Sequence, residues 1–325
     1  METDFYKIAG DLAGCAVDQL IPCRSGRNSR VYKVMCGSDA FALKSYPSEV
    51  ADPRDRFATE IRALAFYEAN KNPYTPRLVA VDAPRRIALM GWIDGHPVNA
   101  PDRDDMVQAV DFIARTDAAK NNGGEIFGYA AEPCLSGADL DRHIALRLEK
   151  LIVIPELNFF LTHELIPVLD RARRDAGVVA FSASLPVSHQ SLIPADFGFH
   201  NAIKSDSGRV SFIDFEYFGW DDPVRLTADF LLHPGTALDE ESWNRFYRGM
   251  VKIFHADEKF ERRLLNLLPL YGIRWALILL NEFLPERWQA RIFAGETASW
   301  EEIKKQQLKK ARIAADKAEV LLKLS

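Results

Sequence analysis

Polar and apolar residues alternate along Arg30-Val31-Tyr32-Lys33-Val34-Met35, the period of a half-buried strand. Gly37-Ser38-Asp39 marks a turn, and Ala40–Tyr46 forms a second strand, so the pair predicts a hairpin. Asp52 as N-cap and Pro53 at the first helical position open a helix, carried inward by Phe57, Ile61, Leu64 and Ala65. Two further strands are predicted over 77–81 and 86–90, and Gly91–Pro97 breaks the pattern as a hinge. From about residue 102 the period becomes helical, over 104–118, 139–152, 156–174, 241–255, 258–284 and 299–323. One β-like island interrupts it, with 202–203 and 209–213 flanking the turn Ser205–Gly208. The expected fold class is α+β, with a small β-rich part over 1–93 and a larger, mainly helical part over 94–325.

A chain of 325 residues suits two domains or one two-lobed unit at about 150 residues per domain. With 48% hydrophobic and 27% charged residues, it is neither disordered nor collagenous. The net charge of -5 leaves no positive excess for wrapping nucleic acid. By part, residues 1–93 carry +2, 94–300 carry -10 and the last 25 carry +3, so the acidic middle favours cationic small substrates. The four cysteines form no Cys-x-x-Cys pair, which argues against a zinc ribbon and fits four free thiols in the cytoplasm. The acidic N-terminus has no apolar signal core. Leu264–Leu284 is long enough to span a bilayer, but Arg274 sits at its centre, so it reads as buried helix rather than membrane span.

The chemistry concentrates in residues 191–216, SLIPADFGFHNAIKSDSGRVSFIDFE. Asp196 is followed five residues later by Asn201, then a hairpin, then Asp214 at the end of an apolar strand. This order is that of phosphoryl transfer. An aspartate beside the attacking hydroxyl orients it and accepts its proton. An amide oxygen and a carboxylate on a buried strand suit Mg²⁺, a hard cation. The tripeptide Asp196-Phe197-Gly198 spells the metal motif of protein kinases, but that reading needs an upstream Asp-x4-Asn, and five residues after Asp175 stands Ala180. Asp196 is therefore the catalytic candidate, with Asn201 and Asp214 as metal ligands. Lys44 ends a strand and can reach ATP phosphates, Glu60 on the next helix can hold it, and the loop Gly26-Arg27-Asn28-Ser29 can lay backbone N–H groups over the phosphates.

In SGRNSRVYKV, FALKSYP, ATEIRALAFYE, PADFGFHNAI and FIDFEYFGWDDPVRLTADFLL the chain resembles the aminoglycoside phosphotransferase and choline/ethanolamine kinase superfamily over roughly residues 20–235. The resemblance implies a two-lobed, protein-kinase-like fold that uses ATP and Mg²⁺ to phosphorylate a hydroxyl of a small molecule. It implies that Met90, Trp92 and Ile93 belong to the adenine-binding hinge, that Lys44 pairs with Glu60, and that Asp229 braces the catalytic loop. Where the family usually carries His two residues before the catalytic Asp, this chain has Pro194; His189 and His200 are nearby. A kinase-fold nucleotide-binding module without turnover is the alternative reading. Candidate acceptor contacts are Glu216, Trp220, Asp221, Tyr271, Arg274, Trp275 and Glu282, an aromatic and acidic set suited to an amine. Choline, ethanolamine, an aminoglycoside, another amino sugar and a polyol all remain open. The C-terminal helix, 301–322, is expected to pack within its own chain, with a second subunit as the other option, so monomer and homodimer both stand.

Overall fold

Alternation in the first hundred residues becomes an antiparallel sheet. The computed structural model describes residues 2–23, 29–47, 55–177, 183–236, 238–293 and 297–323. Packing divides the chain into two compact units, residues 1–128 with 194–219, and residues 129–193 with 220–325. This differs from a boundary after Ile93. Residues 94–128 and the chemistry-bearing segment both pack with the β-rich part.

In the first unit, strands β1 (Gln19–Pro22), β2 (Arg30–Cys36), β3 (Asp39–Ser45), β4 (Leu78–Asp82) and β5 (Ile87–Gly91) form a sheet of order β1-β2-β3-β5-β4. The β2–β3 hairpin pairs Val31 with Lys44 and Val34 with Phe41, and β5 pairs Ala88 with Lys44. Lys44 therefore sits on a central strand. Helix α1 (Glu2–Ala13) was not expected, although Phe5, Ile8, Ala9 and Leu12 have helical spacing; they pack against Val34, Leu43 and Leu89 of the sheet. Cys15 and Cys36 are joined as a disulfide with a Cα–Cα distance of 6.2 Å, which corrects the expectation of four free thiols and ties the end of α1 to the end of β2. Cys23 and Cys134 are free.

Helix α2 (Arg56–Ala69) begins later than expected. Its N-cap is Asp55, whose side chain accepts from the Ala58 N–H, rather than Asp52. Asp52 and Pro53 lie outside the described residues. Helix α3 (Arg103–Ala119) opens on a reciprocal capping box between Asp102 and Asp105. A second sheet of β6 (His96–Pro97), β8 (Ala202–Lys204) and β9 (Val210–Phe212), in the order β6-β8-β9, realises the β-like island. Gln108 of α3 clamps its turn, donating to Gly208 O at 3.0 Å and accepting from Val210 N–H at 2.8 Å.

The second unit is helical, apart from the short strands β7 (Ser191–Ile193) and β10 (Gly219–Asp221). Helix α4 (Gly137–Leu151), the π-interrupted run Pro155–Asp175 and the helices Pro223–Leu232 and Trp300–Leu322 pack around Phe260–Leu280. That last helix contains the stretch long and apolar enough to cross a membrane, yet Leu264, Leu267, Tyr271 and Leu277 are buried within the unit. Gly272 lets the C-terminal helix approach closely: a Cβ there would lie 3.0 Å from Ala318 Cβ. Ala311, Ala314, Ala315 and Ala318 are buried along this contact, so the C-terminal helix packs within its own chain.

Candidate active site

The catalytic segment is held from beneath by aromatic rings. Phe197 stacks on Phe112 of α3 with centroids 5.3 Å apart and meets Phe212 of β9 at 4.7 Å. Tyr67 of α2 joins them through Phe112 and Phe215, at 5.3 and 5.0 Å. Phe197, Gly198 and Phe199 are buried, whereas Asp196 and His200 keep access to solvent. The phenylalanine of the misleading tripeptide is thus a core residue.

Asp196 follows a tight turn in which its N–H donates to Pro194 O at 2.8 Å and Ala195 takes φ 59°, a left-handed value that L residues adopt at a cost. The Asn201 side-chain amide donates to Asp196 O at 3.0 Å and lies 3.4 Å from Asp196 Oδ2. This turns the Asn201 oxygen away from Asp196. Ile213 N–H donates to Asn201 O at 2.9 Å, so the end of β9 brings Asp214 alongside Asn201. Asp214 also has a left-handed φ, 70°.

Lys44 lies at the centre of a buried charge cluster. Its Nζ is 2.5 Å from Glu60 Oε2, 2.6 Å from Asp214 Oδ1 and 3.8 Å from Glu216 Oε2. Tyr46 donates to Glu60 at 2.8 Å, and Arg56 Nη1 reaches Glu216 at 2.5 Å and the Tyr217 hydroxyl. Burial would pull the Lys44 ammonium down, but Asp214 and Glu60 outweigh it and hold Lys44 well above its ordinary range. Burial and the neighbouring carboxylates push Glu60 up, against the pull of Lys44. Three carboxylates thus face two cations, Lys44 and Arg56. Glu60 and Glu216 side chains are 2% and 1% exposed, whereas Asp214 is 32% exposed. The one accessible carboxylate of a negatively biased, all-oxygen cluster suits a hard divalent cation.

The structure therefore brings Lys44, Glu60, Asp196, Asn201 and Asp214 into one unit. Met90 lies within the β5 ladder; Gly91 N–H donates to Arg77 O at 2.9 Å and Trp92 N–H to Ala40 O at 3.3 Å. Gly26, Arg27 and Asn28 lie outside the described residues, and Ser29 immediately precedes β2.

Most of the proposed acceptor contacts are buried or already engaged by protein partners. Glu216 is engaged by Arg56 beside Lys44. Asp221 accepts from Cys134 N–H at 2.8 Å and from Arg225 at 2.6 Å, and is fully buried. Arg274 pairs with Asp229 at 3.0 Å and lies 3.5 Å from Glu132. Tyr271 is 1% exposed, and Glu282 is held by Arg291 at 2.5 Å. Asp229 pairs with Arg274 and, at 3.4 Å, with Arg225 inside the helical unit. Burial would raise Glu132, but Arg147 and Arg274 outweigh it and hold its carboxyl at about 2. Trp220 and Trp275 keep partial exposure, and Trp275 stands edge-on to His233 at 4.7 Å. Missed altogether by sequence reasoning were Arg56 and Tyr46, whose roles depend on tertiary neighbours. A cavity of about 630 Å³ in the helical unit, walled by Leu185, His189, Asp257 and Arg263 among others, includes none of the expected site residues.

Comparison with solved structures shows the same fold at low identity. The choline kinase LicA from Streptococcus pneumoniae superposes with a TM-score of 0.62 at 15% identity, covering 98% of this chain and 99% of that one. Spectinomycin phosphotransferase APH(9)-Ia, in complex with ADP and spectinomycin, gives 0.63 at 10% identity, covering 96% and 98%. The gentamicin complex of APH(2")-IIa gives 0.60 at 16% identity, covering 96% of each chain. No curated protein matches the chain by sequence. The phosphotransferase enzyme family matches residues 19–265, well over half the chain, and with its α+β, kinase-like fold this protein belongs to that family.

Proposed function

We propose that this protein is a small-molecule kinase, moving the γ-phosphate of ATP to a hydroxyl group with Mg²⁺. The observation that carries the reading is the buried Lys44, held between Glu60 and Asp214 in the unit that also contains Asp196 and Asn201. Lys44 supplies a fixed positive charge for the phosphates, and Glu60 keeps it in place. Asn201, through its side-chain oxygen, and Asp214 would hold Mg²⁺, which when bound supplies charge neutralisation on the transferred group. Asp196 orients the acceptor hydroxyl and takes its proton. In the segment 90–93, Gly91 and Trp92 commit their N–H groups to Arg77 O and Ala40 O, which makes Ile93 the backbone donor proposed for adenine. Gly26, Arg27, Asn28 and Ser29 are proposed to cover the phosphates.

For the acceptor, Trp220 and Trp275 are the proposed contacts, since they keep exposed ring surface. Aromatic faces favour an amino alcohol or aminoglycoside over a neutral polyol. Pools of such compounds, incubated with Mg²⁺ and ATP, should yield a product heavier by one phosphoryl group on mass spectrometry. Asp196→Asn should lower kcat by about 10²–10⁴-fold, the worth of a general base, while ATP still raises the melting temperature. Absence of a phosphorylated product across these classes, or loss of ATP binding in that variant, refutes the assignment.

A further inference from the structure

We infer that His200 is a positioning residue for Asp196, clamping its carboxylate so that it meets the acceptor hydroxyl in one fixed orientation. The inference rests on the kinase reading above. His200 Nε2 lies 3.2 Å from Asp196 Oδ1. The tautomer that makes this bond carries its proton on Nε2 and donates it. Asn201 grips the same residue from the other side, at the backbone oxygen and, more loosely, at Oδ2. Two donors on successive residues thus fix the rotation of a carboxylate that otherwise turns freely about its last bond. An ionised carboxylate offers about four acceptor positions, so both grips leave capacity for the hydroxyl proton.

Local sequence builds this arrangement. Phe197 and Phe199 are buried, and the short 3₁₀ turn Phe199–Asn201 carries His200 back beside Asp196. Between Asp196 and His200 stands Gly198, and a Cβ there would lie 2.7 Å from His200 Nδ1 and 2.9 Å from Cε1. The imidazole occupies the space that a side chain at 198 would fill. Gly198 has an extended backbone, φ 168°, so the glycine serves this close approach and not an unusual dihedral. Pro194, two residues before Asp196, offers no donor of its own. The donor comes instead from downstream, through His200.

The experiment compares wild type, His200→Leu, His200→Gln and Gly198→Ala. Turnover of Mg·ATP is followed with the acceptor found in the screen, or with water as acceptor. Glutamine places an amide N–H near the position of Nε2, and leucine keeps bulk without a donor. His200→Leu and Gly198→Ala should lower kcat by about 10- to 100-fold, the effect of a misplaced reacting group, with KM for ATP nearly unchanged. His200→Gln should recover most of the loss. In parallel, side-chain ¹H–¹⁵N spectra should show His200 protonated on Nε2, with that signal shifted in Asp196→Ala. Wild-type turnover in His200→Leu overturns the inference. A glutamine variant as slow as the leucine one, or a His200 signal indifferent to residue 196, also overturns it. A wild type that transfers phosphate to nothing removes the kinase reading, and the spectra then decide the Asp196–His200 pairing on their own.

Discussion

Replacing Lys44 with methionine tests the charge cluster directly. The substitution removes one ammonium from among three carboxylates and keeps most of the side chain's length. Glu216 retains Arg56, and Asp214 is 32% exposed, so water takes up much of its charge. Glu60 is left as the uncompensated buried charge, with the Tyr46 hydroxyl and the Phe215 N–H as its remaining donors among the described residues. Breaking a buried pair in this way costs about 3–5 kcal/mol, a large part of the roughly 5–15 kcal/mol that holds a domain together. The loss should depend on pH. Glu60 is already pushed above its usual 4.5, by burial first, and Lys44 is the group pulling it down. Without Lys44 its folded-state value rises further. A carboxyl raised on folding contributes stability that is full below its unfolded value and is lost as pH rises through its folded one. Lys44→Met should therefore lose more at pH 8 than at pH 5. Urea unfolding followed by the fluorescence of the six tryptophans measures this at both pH values. The double variant Lys44→Met/Glu60→Gln should regain about 1–3 kcal/mol over the single variant and lose the pH dependence. A deficit below about 1 kcal/mol at both pH values, or a double variant no better than the single, refutes the picture of a buried, mutually dependent cluster.

Three further outcomes rest on local packing and titration. Phe197→Ala should cost about 3–5 kcal/mol by emptying the ring cluster under the catalytic loop, read as a lower urea midpoint. Ala195→Val should destabilise by about 1–2 kcal/mol because a β-branched residue resists its left-handed φ, whereas Ala195→Gly should not, and equal urea midpoints for the two would refute the strained turn. Burial, reinforced by Arg274, holds the His143 imidazole down at about 4, so it folds neutral. A base depressed on folding contributes stability that is lost as pH falls from its usual 6.5 toward that value. Stability should therefore decline over this window, and less steeply in His143→Gln.

What could be read in the chain was what local spacing encodes. The β2–β3 hairpin, the C-terminal helix and the order Lys44, Glu60, Asp196, Asn201, Asp214 all follow from periodicity or from the chemistry of short motifs. The failures have separate physical origins. Helix Pro223–Leu232 is only ten residues long and buried all round, polar residues included, although Asp222 and Pro223 mark its start. The Cys15–Cys36 bond cannot be deduced from spacing. Arg274 and Asp221 have the right chemistry for binding a ligand, yet Asp229 and Glu132 are brought to Arg274, and the Cys134 N–H to Asp221, by tertiary packing. A residue's type advertises an interaction without saying whether the protein itself satisfies it.

The two units are threaded through one another along the chain. The β-rich unit opens the polypeptide, breaks off at residue 128 and resumes at 194, and the helical unit is likewise interrupted. During synthesis the nascent β-rich unit must therefore wait for about sixty-five further residues, several seconds at ribosomal speed, before the β8–β9 pair flanked by Asn201 and Asp214 emerges to complete it. No single cut in the gene can release either half intact, so dissecting this protein calls for circular permutation or fragment complementation in place of truncation.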